Sequence, residues 1–414
     1  MTKVVEAVAP ARLGVPFRWL LGSSWVSNLG DGIALAAGPL LVASQTRDPF
    51  VVALAVVLQR LPWLLFGLLA GVAADRFDRR RIIVGVHATR AVVLVVLSAV
   101  IVFGRVEIAV VLVVLFVLGT AEAFADTTAS TLLPMVVHER DLGTGNARIM
   151  AGFVTVNQLV GPALGAALFA VDAVVPFVAQ AGCMVTGALM ASRIALPAHG
   201  RDAAERSHVG REIAQGFRWL WSNPAVRTLA VTIVTFNVTF GAAWSILVLY
   251  AIERLGTGEV GFGLLTSATA VGGLAGTAIY GRLTSLLSLG NLMRAGLIIE
   301  TVTHLALAVT TQLWVALLIM FVFGAHAFVW GTTSTSVRQR AVPMELQGRV
   351  SSVYLIGMQG GLVVGSVVGG AVAGPWGVTA PFWFAFVGSG VLVIAIWPQL
   401  SHIAHAGTRA TVEP

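Results

Sequence analysis

Long apolar runs separated by short charged stretches dominate this chain. Runs near 19–44, 50–73, 82–103, 107–130, 147–171 and 174–195 are followed by a break, then by 226–251, 260–281, 292–310, 313–335, 350–373 and 378–398. An α-helix needs about 20 mainly apolar residues to cross the hydrocarbon core of a bilayer, and most of the runs reach that length. Barrel strands would be about 10 residues long and would alternate apolar with polar. The pattern predicts an all-α membrane protein of twelve transmembrane helices in two bundles of six.

The break at 196–225 breaks the pattern. It carries Arg201, Asp202, Glu205, Arg206, Arg211, Glu212 and Arg218, with Pro197 and Pro224 at its ends. Within it Ile213, Phe217, Leu220 and Trp221 recur at helical spacing, which predicts an amphipathic helix. Such a helix lies either on the membrane surface or against the protein's own cytoplasmic side. The expected organisation is an N-terminal segment 1–18, a first bundle 19–195, a linker 196–225, a second bundle 226–398 and a tail 399–414.

Composition agrees with lipid as the solvent. Of 414 residues 57% are apolar and only 11% charged, against a usual charged share of about a quarter. Mean hydropathy is +0.89. The net charge of +7 does not indicate nucleic acid, because the basic residues sit in short loops rather than in one domain. With the N-terminus inside, only Arg47, Arg105 and Arg254 fall outside, and Arg60 and Arg90 lie within spans; every other Lys and Arg is cytoplasmic. This asymmetry predicts that both termini are cytoplasmic and that the protein is a multi-pass protein of the inner membrane. The first 17 residues lack the pattern of a cleavable signal. One cysteine, Cys183, excludes an internal disulfide and a cysteine zinc cluster.

The two halves repeat. Arg18, Leu20, Asn28, Gly32 and Leu40 match Arg227, Leu229, Asn237, Gly241 and Leu249 at a separation of 209 residues. Arg148 and Gln158 match Arg349 and Gln359 at 201. Parallel repeats of this kind place a substrate cavity between two bundles in transporters. Each chain supplies both halves, so a monomer is expected.

Between the second and third runs stands Gly71-Val-Ala-Ala-Asp75-Arg76-Phe77-Asp78-Arg79-Arg80-Arg81. Glycine permits close helix approach, Asp75 suits a helix N-terminus, and the arginines can bridge to carboxylates of a neighbouring loop. This segment resembles the signature loop of the major facilitator superfamily, in the drug- and siderophore-exporting branch that includes the enterobactin and macrolide exporters. Asp78 stands where the family usually has a second glycine. Similar likenesses occur at Leu61–Gly67, Gly119–Asp126, Asn157–Gly165, Gly261–Leu265 and 338–354, so the resemblance spans the chain. Gly161, Pro162 and Gly165 partly match the antiporter motif of exporting members, with Asn157 and Ala166 at the flanking glycine positions. Leu115 stands where many such exporters carry an arginine. The resemblance implies two six-helix bundles, alternating access and export by proton antiport, with residues 71–81 as a cytoplasmic gating loop.

Charges within the spans are the candidates for coupling, since each costs at least about 2.5–3.5 kcal/mol to place at the bilayer centre. They are Asp31, Arg60, Arg90, Glu122, Asp126 and Glu300. Asp31 lies 13 residues beyond Arg18 and Arg60 lies 11 before Gly71, roughly 20 Å and 16 Å along their helices. Similar depth predicts an Asp31–Arg60 pair, with Arg90 snorkelling to the headgroups or serving the loop. Glu122 and Asp126 share one face of their helix, where two close carboxylates do not both stay ionised in a low dielectric. His304 and His326 lie within spans and either titrate near neutral pH or serve as packed, hydrogen-bonded residues. Trp25, Trp244, Trp330, Phe236, Phe240 and Phe328 are candidates to line an apolar cavity for a lipophilic small molecule.

No enzyme is expected. A phosphate-binding loop is excluded by the single lysine, Lys3, and no nucleophile–base pair or metal-ligand set stands out, His402 and His405 belonging to the tail. The proton gradient is the expected driving force, with no cofactor. An importer or a lipid flippase of the same fold is the competing reading, and a non-transporting sensor or enzyme a more distant one.

Overall fold

The structure, a computed structural model, describes residues 10–104, 106–196 and 209–400. All regular structure among the described residues is helical. That is the expected solution in lipid, where each backbone N–H and C=O must find its partner within the segment. In chain order the long helices are α1 (Gly14–Gln45), α2 (Pro49–Arg76), α3 (Arg79–Val102), α4 (Ile108–Ser130), α5 (Glu139–Val171) and α6 (Val175–Ser192). Then follow α7 (Val209–Ser222), α8 (Pro224–Trp244), α9 (Glu259–Leu286), α10 (Leu289–Val309), α11 (Leu313–Ala341), α12 (Met344–Trp376) and α13 (Ala380–Ile396). Eleven are long and apolar enough to cross a membrane. The run at 378–398 forms α13, an apolar helix of 17 residues.

Helix starts follow local chemistry. Asp78 caps α3 by accepting from the Arg81 N–H at 3.0 Å, and Ser288 caps α10 by accepting from the Asn291 N–H at 3.3 Å. Proline occupies the first turn of α6, α8 and α13, where its missing N–H costs nothing. α5 is not uniform: a π-helical stretch, Phe153–Val160, precedes the α-helical Gly161–Val171 with Pro162 in its first turn. The run at 226–251 also breaks early. α8 ends at Trp244, and a π-helical turn, Tyr250–Arg254, follows. Arg254 there donates to the carbonyls of Val309 (3.0 Å) and Thr310 (3.1 Å), satisfying the end of α10.

The chain forms two compact units. The first takes its residues from Met1–Thr46, Leu58–Ala204 and Gly258–Ser267, the second from Arg47–Val57, Glu205–Thr257 and Ala268–Pro414. Within the first, Phe17, Leu20, Leu21, Ile83, Leu133 and Ile194 form a buried cluster. Within the second, Leu229, Met293, Leu297, Leu392 and Ile396 do the same. Glycines bring the helix backbones together, as expected where lipid supplies no hydrophobic drive between helices. A methyl on Gly32 of α1 would stand 2.5 Å from the Asn157 carbonyl oxygen of α5, and one on Gly241 of α8 would stand 2.6 Å from that of Leu362 of α12.

The linker helix α7 packs against α12. Gly216 backs onto the Arg349 backbone of α12, and the Arg349 guanidinium donates to Gln215 Oε1 at 2.8 Å. Leu220 is buried with Val226, Val342 and Val350. The adjoining face exposes Phe217 and Trp221, stacked with ring centroids 5.8 Å apart. Residues 197–208, with Arg201, Asp202, Glu205 and Arg206, lie outside the described residues, as do the side chains of Arg211 and Glu212 and the tail histidines 402 and 405.

Candidate functional site

The first unit holds a charge cluster along α1, α3 and α4. Arg90, eleven residues into α3, is 2% exposed, and Asp31 on α1 is 7% exposed. The two form an ion pair. The expected Asp31–Arg60 pair is therefore corrected: Arg60 is half-buried on α2, and the partner of Asp31 is Arg90, which does not snorkel. Depth could not distinguish the arginines, because Arg90 lies eleven residues after Arg79 just as Arg60 lies eleven before Gly71. The face each helix turns toward α1 decides. Glu122 on α4 interacts with both Arg90 and Arg60, and the field of Arg90 also reaches Asp126.

Asp126 opens onto a cavity of about 290 Å³ within this unit. Its walls mix polar Ser24, Asn28 and Asn146 with apolar Ile149, Met150 and Phe153. Trp25 does not line it; its indole donates to the Arg148 carbonyl at 3.2 Å. Two residues of the surroundings went unnoticed in the sequence. His87 is buried one turn before Arg90, and Gln180 of α6 is 1% exposed with neither polar atom hydrogen-bonded. A search for buried amides and imidazoles, as well as charges, would have found both.

Residues 71–81, expected as a gating loop, run from the end of α2 into the start of α3. Asp78 serves as the cap of α3, which explains why a carboxylate is tolerated at that position. The Arg79 guanidinium contacts the Met135 sulfur at 3.1 Å, and that of Arg80 donates to the Ile194 carbonyl at 3.4 Å. Arg76 is exposed and no neighbour crowds Gly71. The side chain of Asp75 lies outside the described residues. In α5, Gly161 meets the Gly32 backbone and Gly165 that of Ile33, so these two glycines form the seam between α5 and α1, while the Pro162 carbonyl faces Gly263 of α9.

The second unit holds a different cluster. Glu300 on α10 is 1% exposed, His304 0% and His326, on α11, 6%. His304 Nε2 lies 2.8 Å from one Glu300 oxygen and His326 Nε2 lies 3.1 Å from the other. A column of rings runs beside them. Trp330, Phe236, Phe240 and Phe323 stack in sequence, with Trp244 against both Phe240 (4.4 Å) and Phe323 (4.7 Å). The Trp244 ring meets His304 edge-on at 6.2 Å, and Phe323 meets His326 at 5.3 Å. Four of the six aromatic residues singled out in the sequence belong to this column. Phe323 completes it, while Phe328 is exposed.

Comparison with known proteins fits this architecture. The profile of the transmembrane secretion effector family matches residues 5–405. The multidrug efflux pump Tap of Mycolicibacterium fortuitum is 26% identical, covering 89% of this chain and 91% of its own. Macrolide efflux protein A of Streptococcus pyogenes is 23% identical, covering 91% and 94%. The enterobactin exporter EntS of Escherichia coli is 22% identical, covering 95% of each. Among solved structures, the nucleoside transporter NupG aligns with a TM-score of 0.78 at 12% identity, over 93% of this chain and 99% of that one. A bacterial homologue of the iron transporter ferroportin aligns at 0.74 and 14%, over 93% and 98%. At such identities the structures speak for the fold alone.

Proposed function

Because the chain belongs to the transmembrane secretion effector family, a major facilitator family of multi-pass membrane transporters, we propose that it exports amphipathic small molecules by proton antiport with alternating access. The reading includes twelve spans, both termini in the cytoplasm, residence in the inner membrane and a monomeric working unit. The names of the efflux relatives support export.

The observation that carries the coupling is the buried Asp31–Arg90 pair beside Glu122 and Asp126. Intramembrane charges are costly, face protein or water, and mark ion and substrate paths. Asp31, Glu122 and Asp126 all act on Arg90, and Arg60 reaches Glu122 as a second cation; three carboxylates against two guanidiniums leave one negative charge, which a proton on Glu122 or Asp126 removes. Asp126 opens onto the cavity, so it is where a proton and a cationic or hydrogen-bonding group of a substrate compete. The apolar wall at Ile149, Met150 and Phe153 suits the lipophilic part of the same molecule.

The test is accumulation of lipophilic dyes and antibiotics in an efflux-deficient bacterium expressing the chain, with and without a protonophore. Wild type is expected to lower accumulation, and the protonophore, Asp31→Asn and Glu122→Gln to abolish that effect. Efflux indifferent to the protonophore would remove proton coupling. Uptake in place of efflux would make the chain an importer.

A further inference from the structure

We propose that Glu300, His304 and His326 form a proton-binding site in the second unit, separate from the charge cluster around Arg90, that takes up and releases one proton. The proposal deepens the antiport reading and rests on it for its role in transport, but the site itself is argued from geometry.

An ionised carboxylate only accepts hydrogen bonds. Both Glu300 oxygens are engaged by imidazole Nε2 atoms, so with Glu300 ionised the tautomers assigned to both histidines place a proton on Nε2, facing the carboxylate. That leaves each Nδ1 as a bare acceptor, and both are buried without a hydrogen-bond partner. With both imidazoles neutral, the three groups carry one net negative charge in a nearly closed apolar surround, an expensive state. One added proton on either Nδ1 yields an imidazolium against a carboxylate and restores neutrality. A second would leave a net positive charge. The site therefore alternates between one exchangeable proton and none, shared among three coupled groups.

Among the described residues only the two histidines act on the Glu300 charge, and Arg254, at the end of α10, donates to the Val309 and Thr310 carbonyls instead. On α10 the other charged residue is Arg294, which donates to Asn291 and to the Trp397 carbonyl at the far end of the helix. α11 contributes Arg338 and Arg340, three turns beyond His326. α8 has only Arg227 in its first turn and turns Phe240 and Trp244 toward the site; α13 has no ionisable residue. The phenols on the surrounding helices have partners of their own: Tyr250 donates to the Leu307 carbonyl, Tyr280 of α9 is hydrogen-bonded with Thr333, and Tyr354 of α12 with Ser334. His326 is the less enclosed imidazole and is the entry point; His304, against Trp244, is the inner end.

Trp244 supplies a readout independent of transport, since an imidazolium quenches an adjacent indole more strongly than neutral imidazole does. The purified chain in lipid nanodiscs is titrated between pH 5 and 8, the window in which histidine changes charge. Trp244 is one of eleven tryptophans, so emission is expected to fall by up to about a tenth as pH is lowered. The fall is expected to vanish in Trp244→Phe and His304→Gln, and its midpoint to move in His326→Gln, with Glu300→Gln kept as a second carboxylate test if it remains monodisperse. Identical titrations in wild type and His304→Gln would overturn the proposal. The two readings fail separately. Efflux with a flat Trp244 titration removes this site and spares antiport; a Trp244 titration without efflux spares the site and removes its transport role.

Discussion

The two helical units share a skeleton and differ in how they settle a buried charge. In the first, α1 meets α5 at Gly32; in the second, α8 meets α12 at Gly241. Gly119 of α4 sits on the Gln59 backbone of α2, and Gly324 of α11 sits on that of Thr269 of α9. Asp78 and Ser288 cap α3 and α10, and Arg90 and Glu300 each stand eleven residues beyond the first residue of those helices. The same place in the repeat thus holds a cation in one unit and an anion in the other. Arg90 takes its partner from α1, where Asp31 stands. The residue 209 positions later is Phe240, a member of the aromatic column, and Glu300 instead draws its partners from its own helix and from α11. The first cluster adjoins a cavity through Asp126; the second is sealed by rings. Duplication preserved the points where backbones touch, while the polar chemistry between them was free to diverge.

The largest effect is expected at the ion pair. Arg90→Leu leaves Asp31 buried and uncompensated, and removing one partner of a buried pair costs about 3–5 kcal/mol. Thermal unfolding in nanodiscs should show a sharp loss. Arg90→Leu with Asp31→Asn should recover part of it, because the uncompensated charge of Asp31 is removed together with its partner. A double variant no more stable than Arg90→Leu would mean that the pair is not what balances the first unit.

Next come the glycine seams. Gly32→Ala and Gly241→Ala each force a methyl into a facing carbonyl oxygen, and overpacking of this kind costs about 1–3 kcal/mol. Similar losses at both positions, with Gly71→Ala near neutral because nothing stands within 4 Å of it, would support the shared skeleton. A loss confined to one unit would break it. The comparison is read from melting curves of the three single variants.

Much of this skeleton was legible before any coordinates. The apolar runs locate the helices and the match of Gly32 with Gly241 exposes the repeat, but that both glycines are seams, and that Asp78 rather than Asp75 stands at a helix N-terminus, came from the structure. What the runs could not supply was azimuth. A helix that is apolar all round faces lipid on one side and protein on the other without changing composition, so Arg60 and Arg90 looked equivalent to Asp31. The correspondence of α3 with α10 was hidden for another reason: an identity search does not align arginine with glutamate, although both answer to the same buried position. His304 was within reach at i+4 from Glu300. His326 was not, since its approach depends on how α11 packs on α10.

The smallest effect tests the repeat at its most local. Asp78 and Ser288 occupy equivalent caps, each accepting from the N–H three residues on. Replacing either by Ala removes that acceptor and should cost about 1 kcal/mol. The two should differ in salt. Asp78 carries a full charge at a helix N-terminus, where the dipole adds roughly 0.3–1 kcal/mol that ionic strength screens, whereas the Ser288 hydroxyl has no such component. Raising salt should therefore shrink the penalty of Asp78→Ala and leave that of Ser288→Ala unchanged, measured by melting at low and high ionic strength. Equal salt responses would mean that the arginines at 79–81 already neutralise Asp78, and its role in the loop would reduce to the hydrogen bond alone.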